Sequence, residues 1–480
     1  MAVTVPTTNS TGQGILTSLG IGSGIDINGL ITKLMTAEQA PLTLLQNQQT
    51  ADQAQISAFG SVSSALSSLQ TAAQALESTS SNSAFSTMTA TPADASVLTA
   101  TAGAGAAAGT YSISVTQLAS SQIVRSNAAY GTTDSFNTGT LAITVGGSTA
   151  NIAIGPANNT LSGIAQAINA ANAGVTATVL NDGTTNHLVL TSNTSGSAGT
   201  IGIAVTQTGT GATRNLSDFN YSGANTATMV QAQAAGDAQL TLNGTTVTRP
   251  SNTISDVISG VTLNLLSYPA STTLSVSPDA TATTTAVTGF VNAYNAAITA
   301  LNGVSSFDTT SNAAQPLTGN SVVQNLQSSL PAIFSHSISG IKGGLTTLAD
   351  VGVSLQQDGT LSLDPAKLQS ALSNPNNDVA SLFGSTKAGS QGFAYQLDQM
   401  LNNYVGPTGA ITAQTNGITT AIQSLTTQEA QMQDYLTQLQ AQYTAQFTAM
   451  DATVSQLNSV QSYMTQQLQY QLVYASQRGL

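Results

Sequence analysis

The spacing of apolar residues changes along the chain. Near the start, Ile27, Leu30, Ile31, Leu34 and Met35 recur at three- and four-residue intervals. Phe59, Val62, Leu66, Leu69, Ala73 and Leu76 do the same, so both runs predict amphipathic helices. Pro41 lies between them; lacking an N–H, it is expected to end the first helix. Near the other end, Leu436, Tyr443, Met450, Leu457 and Met464 stand seven apart. A second row, Leu425, Met432 and Leu439, shifts by one residue and continues at Phe447, Val454 and Leu468. Sustained heptads of this kind predict a coiled-coil seam. Its polar faces carry Gln and Thr instead of Glu and Lys, so partner choice rests on the shape of the apolar seam.

Between about Ala90 and Asp279 the period becomes two. Thr110–Gln117, Leu141–Val145, Val175–Leu180, Leu188–Thr191 and Val261–Leu265 read as strands. Asn181-Asp182-Gly183 marks a hairpin turn. One helix, Leu161 to Asn172, is expected inside this region, capped by Asn159 or Thr160. Gly103, Gly105 and Gly109 precede a strand and read as a linker into the β modules. From Ala286 the helical period returns through Phe290, Val291, Tyr294, Ile298 and Leu301. Val353–Leu355 and Leu361–Leu363 flank Asp358-Gly359 as a second hairpin, and Pro365 to Leu372 reads as a short helix.

The expected class is α+β: terminal helices form a coiled-coil or helical leg, with β-rich head domains inserted between them. The boundaries read as an N-terminal helical segment 1–45, a helical part of the leg 46–92, a β-rich head domain 93–135 plus 206–285, an inserted β domain 136–205, the rest of the leg 286–410, and a C-terminal coiled coil 411–480. One seam on a long helix does not offset the backbone entropy of ordering it, about 1–2 kcal/mol per residue. Both ends are therefore expected to be loose in the monomer and to order on assembly.

Composition narrows the function. Charged residues make up 6% of the chain, against about 25% in an ordinary soluble domain. The net charge is −12, and the few basic residues are scattered, so nucleic-acid binding is excluded for want of a cationic cluster. The chain has no cysteine, which removes disulfides, thiolate catalysis and cysteine-based zinc sites. No membrane insertion is expected, because no run of about 18 apolar residues occurs. The first basic residue is Lys33, so a charged n-region of a cleaved signal peptide is missing.

Candidate chemistry has simpler explanations. Gly20, Gly22 and Gly24 follow no strand, which a dinucleotide fingerprint requires; they read as a hinge before a helix capped by Asp26. His187 falls in a hairpin strand and His336 in a helix or loop, too few groups for a metal site or a triad. Asp358 reads as a turn residue and Asp364 as a helix cap before Pro365. No enzyme and no cofactor are expected.

The segment Gly20-Ile-Gly22-Ser23-Gly24-Ile-Asp26-Ile27, followed by Leu30-Ile31 and Glu38-x-x-Pro41-Leu42, resembles the flagellar cap, or hook-associated protein 2, family. Asn159-Thr-Leu161 through Asn169 to Asn181-Asp-Gly183 is similar to a motif shared by flagellins and hook-associated proteins. Arg249-Pro-Ser-Asn252 through Leu263, Phe290 to Asn295, Leu345 to Asp364 and Phe447 to Asp451 resemble later parts of the cap family. The resemblance implies a protein of the filament tip, secreted through the flagellar export channel and extracellular. It implies a homo-oligomeric ring that meets flagellin and hook–filament junction proteins and uses an export chaperone. The family motif at Gly22, Ser23, Gly24 and Asp26, and the seam from Leu425 to Leu468, are the candidate site residues. The competing readings are an extracellular adhesin whose Ser/Thr-rich β domains recognise host glycans, and another hook-associated axial protein.

Overall fold

The computed structural model describes residues 26–77, 83–308, 312–374 and 376–477. Helix α1 spans Ile27–Glu38 and α2 spans Ala40–Gln74. Asp26 caps α1, its Oδ1 accepting from the Gly29 N–H at 2.8 Å. The break falls at Gln39, and Pro41 sits in the first turn of α2, where its missing N–H has no intrahelical partner to lose. The second apolar run becomes the inner face of α2: Phe59, Val62, Leu66, Leu69 and Ala73 are buried.

The chain then enters the head through paired strands. β1 (Met88–Pro92), β2 (Leu98–Ala102) and β3 (Gly109–Gln117) come first. β4 (Ser121–Ser126), β5 (Gly139–Val145), β6 (Ser148–Ile154), α3 (Leu161–Ala170), β7 (Val175–Asn181), β8 (Asn186–Ser195), β9 (Ile201–Gln207) and β10 (Met229–Gln233) follow. β11 (Ala238–Leu242), β12 (Thr245–Arg249), β13 (Thr253–Ile258), β14 (Val261–Leu265) and β15 (Ala270–Pro278) close the head. An antiparallel sheet of order β1-β15-β3-β11-β12 packs against β13-β14-β2 over a core including Leu98, Ile113, Leu240, Leu263 and Leu274. A second unit joins β10-β4-β8-β7, β6-β5-β9 and α3 around Phe136, Leu141, Ile164, Leu190 and Phe219. Thr160 is the cap of α3, accepting from the Gly163 N–H at 3.1 Å.

The leg resumes with α4, Ala280–Ser305. This helix starts at Ala280, upstream of the expected Ala286, because Asp279 caps it by accepting from the Ala282 N–H at 2.9 Å. The alanines and threonines of 280–285 carry no large apolar side chain, so a cap, and not a hydrophobic face, sets the start. The two chain crossings are tied together here: Met88 pairs with Pro278, and the Thr283 hydroxyl donates to the Ala84 carbonyl at 3.0 Å. A small hairpin of β16 (Phe307–Asp308) and β17 (Ala313–Ala314), helix α5 (Ser321–Phe334), the hairpin β18 (Val353–Leu355) and β19 (Leu361–Leu363), and helices α6 (Pro365–Ser373), α7 (Val379–Gly384) and α8 (Phe393–Val405) follow. Helix α9 runs unbroken from Ala410 to Gln477. The leg core gathers α2, α4, α5, α6, α7, α8 and the start of α9 around Phe59, Leu66, Phe290, Tyr294, Leu326 and Phe383.

The glycines read as a linker lie elsewhere than expected. β1 and β2 precede them, so Gly103 and Gly105 form the turn from β2 towards β3, inside the head. Gly103 donates its N–H to the Gly260 carbonyl at 2.7 Å, a sheet contact and not a free linker.

Three asparagines act as side-chain strands. The amide of Asn169 on α3 donates to the Ala177 carbonyl at 2.8 Å and accepts from its N–H at 2.7 Å. Asn252 does the same to Ala119, at 3.0 and 2.7 Å. Asn295 on α4 clamps Leu361 of β19, at 2.8 and 2.7 Å. An amide presents one donor and one acceptor on one plane, as a peptide group does, so it pairs a stretch of backbone on the side that no strand covers.

Candidate assembly interface

Helix α9 lies antiparallel to α1 and α2. Its first turns belong to the leg core through the buried Ile411 and Ile418. Further along, the Gln49 amide donates to Thr426 Oγ1 at 3.0 Å and the Gln46 amide donates to Glu429 Oε1 at 2.9 Å. Beyond that, Leu436 closes a small core with Ile27, Ile31 and Met35 of α1, flanked by Met432, Tyr443 and Phe447. As the Gln- and Thr-rich faces lead one to expect, amide-to-carboxylate and amide-to-hydroxyl bonds link the helices where many coiled coils use charge pairs.

The predicted seam is therefore divided. Leu425 and Leu436 are buried, and Met432, Leu439, Tyr443, Phe447 and Val454 are half-buried. Met450, Leu457, Met464 and Leu468 are exposed, Leu457 to 62%. Among the described residues, α1 meets α9 only as far as about Phe447. The heptad reading began at Leu425 and passed over Ile411 and Ile418; stepping back by sevens from Leu425 reaches both. On α1 the apolar row splits too. Ile27, Ile31 and Met35 face α9, whereas Leu30 and Leu34 are 40% and 36% exposed. Of the N-terminal motif, Asp26 is the helix cap; Gly22, Ser23 and Gly24 lie outside the described residues.

The carboxylates are committed to backbone. Asp364 and Asp378 cap α6 and α7. Asp358 accepts from the Thr360 N–H and hydroxyl, at 3.0 and 2.6 Å, which holds its carboxyl below the ordinary range. Asp182 in the β7–β8 turn is held low chiefly by the backbone N–H groups of Thr185 and Thr184. His187 Nδ1 meets the Ser126 carbonyl at 3.0 Å, while Nε2 stands 3.4 Å from Asp182. His336 stacks near Phe393, with ring centroids 5.6 Å apart, in the loop after α5. Two acids do approach each other: Asp398, 9% exposed, accepts from the Gln70 and Gln74 amides at 3.0 and 2.8 Å. Burial, and then the charge of Asp398, push the nearby Glu77 carboxyl up. Among the described residues no group of three or more His, Cys, Asp or Glu is placed to hold a metal ion, and no helix is long and apolar enough to cross a membrane.

Comparison with known proteins matches this architecture. The family model described as flagellar hook-associated protein 2 N-terminus covers residues 23–122, and the corresponding C-terminus model covers 235–459. The flagellin hook IN motif covers 140–194, the stretch from β5 to β8. The flagellar hook-associated protein 2 of Escherichia coli O157:H7 is 34% identical over 95% of this chain and 98% of its own length. The B-type flagellar hook-associated protein 2 of Pseudomonas aeruginosa is 31% identical over 94% of this chain and 97% of its own. A crystal structure of the flagellar cap protein FliD, D1-D2-D3 domains, from Escherichia coli superposes with a TM-score of 0.60 at 32% identity, covering 75% of this chain and 99% of that one. Helical ends that meet in an apolar seam, an inserted β head and similarity along nearly the whole chain agree, and the chain belongs to the flagellar hook-associated protein 2 family of filament cap proteins.

Proposed function

We propose that this protein sits at the distal tip of the flagellar filament as a homo-oligomer and guides incoming flagellin subunits into place. It is a secreted, extracellular structural protein in this reading, with the adjoining flagellin as its working partner. The observation that carries the proposal is the divided seam. A 68-residue helix is anchored in the leg by its first half and presents the apolar row Met450, Leu457, Met464 and Leu468 to solvent in its second half. A chain with only 6% charged residues has no reason to expose such a row unless another helix covers it.

The chain's own N-terminal segment is the first candidate for that cover. With the segment 1–45 and the coiled coil 411–480 as one end, the β-rich units form the plate of the cap and 46–92 plus 286–410 the leg. Hook–filament junction proteins are its neighbours before filament growth, and an export chaperone covers the C-terminal end before secretion.

The test is the fate of flagellin in cells lacking this gene. Monomeric flagellin in the medium, filaments absent, restoration by the full chain and no restoration by a chain ending at Ile411 are expected. Filaments of normal length in the deletion strain would refute the cap role.

A further inference from the structure

The two units of the head are joined at one waist. The chain passes from the first to the second through residues 118–120, between β3 and β4, and returns through 234–237, between β10 and β11. The two crossings pair as a ribbon: the Ser120 N–H donates to the Gly236 carbonyl at 2.8 Å, and the Gly236 N–H donates to the Ser120 carbonyl at 3.1 Å. A ribbon of two strands is marginal by itself and does not fix the angle between the bodies it joins. A third segment removes that freedom. Ser195-Gly196-Ser197, the corner between β8 and β9 of the second unit, lies against the ribbon, where the Gly196 N–H also donates to the Ser120 carbonyl at 3.1 Å. From the first unit, one carboxylate oxygen of Asp237 accepts from the Ser197 N–H at 2.6 Å and the other from the Ser197 hydroxyl at 2.9 Å. The Ser195 hydroxyl donates to the Pro250 carbonyl, in the β12–β13 loop, at 2.7 Å. Gly196 lets the corner come this close: its φ is +77°, and a Cβ there would stand 2.5 Å from Pro250 Cα and 2.6 Å from Asp237 Oδ1.

We propose that Asp237 is a positioning residue that fixes the angle between the two head units, with Gly196 shaped to receive it. Within 117–121, 194–198, 233–238 and 250–253 it is the only charged side chain. No cation in these segments competes for it, so its two charge-assisted bonds to Ser197 are the strongest polar link across the joint. A carboxylate that accepts two bonds from one residue restrains direction as well as distance. The Asn252 clamp on Ala119, at 3.0 and 2.7 Å, ties the first unit to the crossing; Asp237 carries the tie onward to the second unit. The consequence for assembly rests on the cap reading. A ring of identical copies closes only when every copy presents its surfaces at the same angle. A plate built from these heads therefore needs a head that does not flex at its waist.

The chain has no cysteine, so Ser148→Cys in the second unit and Thr246→Cys in the first, both at exposed positions, place spin labels on the full-length protein at those two sites alone. Dilution into unlabelled chain restricts the measured distance to one copy. The labelled parent should give one narrow distance. Asp237→Ala should lose it for a broad spread, and Gly196→Ala should displace or broaden it. Asp237→Asn, whose amide oxygen still accepts from the Ser197 N–H, should keep the narrow distance. Hydrogen exchange in β5 and β14 should stay slow in every variant, because each unit retains its own core. Light scattering should show a sharp assembly mass for the parent and Asp237→Asn and a dispersed one for Asp237→Ala. A narrow, unmoved distance in Asp237→Ala, an Asp237→Asn chain as broad as the alanine chain, or fast exchange in β5 or β14 alongside the broadening would overturn the proposal. The distance within one copy does not depend on where the protein works. Filaments of normal length in the deletion strain would therefore refute the cap role and leave the fixed angle standing.

Discussion

Replacing Asn295 by alanine should unlatch the β18–β19 hairpin from the leg. Asn295 holds both the carbonyl and the N–H of Leu361, and its neighbour Tyr294 donates to the Gly359 carbonyl at 3.0 Å. Leu361 is 3% exposed and belongs to the leg core. Each neutral hydrogen bond contributes about 1 kcal/mol net, and a partly buried amide or carbonyl left without a partner adds to the loss, so about 2–3 kcal/mol is expected. At 1.4 kcal/mol per factor of ten, local opening becomes roughly 30- to 150-fold more frequent. Hydrogen exchange of peptides covering 353–364 reads that opening directly. Asn295→Asp should do more damage near neutral pH, because a carboxylate oxygen then faces the Leu361 carbonyl where the amide donated. The aspartate is comfortable there only when protonated, so its folded pKa lies above the unfolded value. Its stability contribution is present at low pH and lost as pH rises through that raised value, and the gap between the two variants should narrow on acidification. Unchanged exchange in the hairpin of Asn295→Ala, or acceleration spread evenly over the chain, would refute the clamp.

Leu436→Ala should cost about 2–4 kcal/mol locally and free α1, seen as faster proteolysis before Ala40 with the leg core intact. Asp94, Asp134, Asp256 and Asp358 are all held below the ordinary carboxylate range, by hydrogen bonds from Ser96, Gly131, Arg249 and Thr360 respectively. Their contribution is full above the unfolded value near about pH 4 and is lost as pH falls through the lowered folded values; thermal unfolding should drop steeply in that acid range. Glu77 has the opposite sign, being raised by burial and by Asp398. Asp398→Asn keeps an acceptor for Gln70 and Gln74 and removes that charge, so the melting temperature at neutral pH should rise, and a fall would refute the repulsion. Oligomer mass should change little between about 0.05 and 0.5 M salt, because exposed ion pairs are few; sedimentation at the two salt levels checks it.

Much of the fold is legible in the residues. The periods of two and three-to-four placed β5, β7, β14, α2 and α6, and Thr160, Asp26 and Asp364 were readable as caps because a short polar side chain before an apolar run satisfies the first N–H groups of a helix. The candidate interface was legible as a seam but not as a divided one. Heptad spacing reports which side chains share a face; it does not report how far the partner helix extends. Leu436 and Leu457 occupy equivalent heptad positions, yet one is buried on α1 and the other is exposed. Leu30 and Ile31 are likewise neighbours in one apolar run, and only their direction around the axis separates inside from outside.

The sequence by itself determined the α+β class, the helical ends, the β-rich middle, the turns and most caps, since each depends on contacts within a few residues. It also determined that charge would not organise the interface, because there is so little of it. Tertiary structure alone decided the rest. It brought Asn169, Asn252 and Asn295 onto backbone groups that only a packed neighbour presents. It turned Gly103 and Gly105 from a linker into a turn within the head, and among the described residues it ended the contact of α1 with α9 near Phe447. Each of these depends on where a distant segment stops or lies, a property that no local pattern carries.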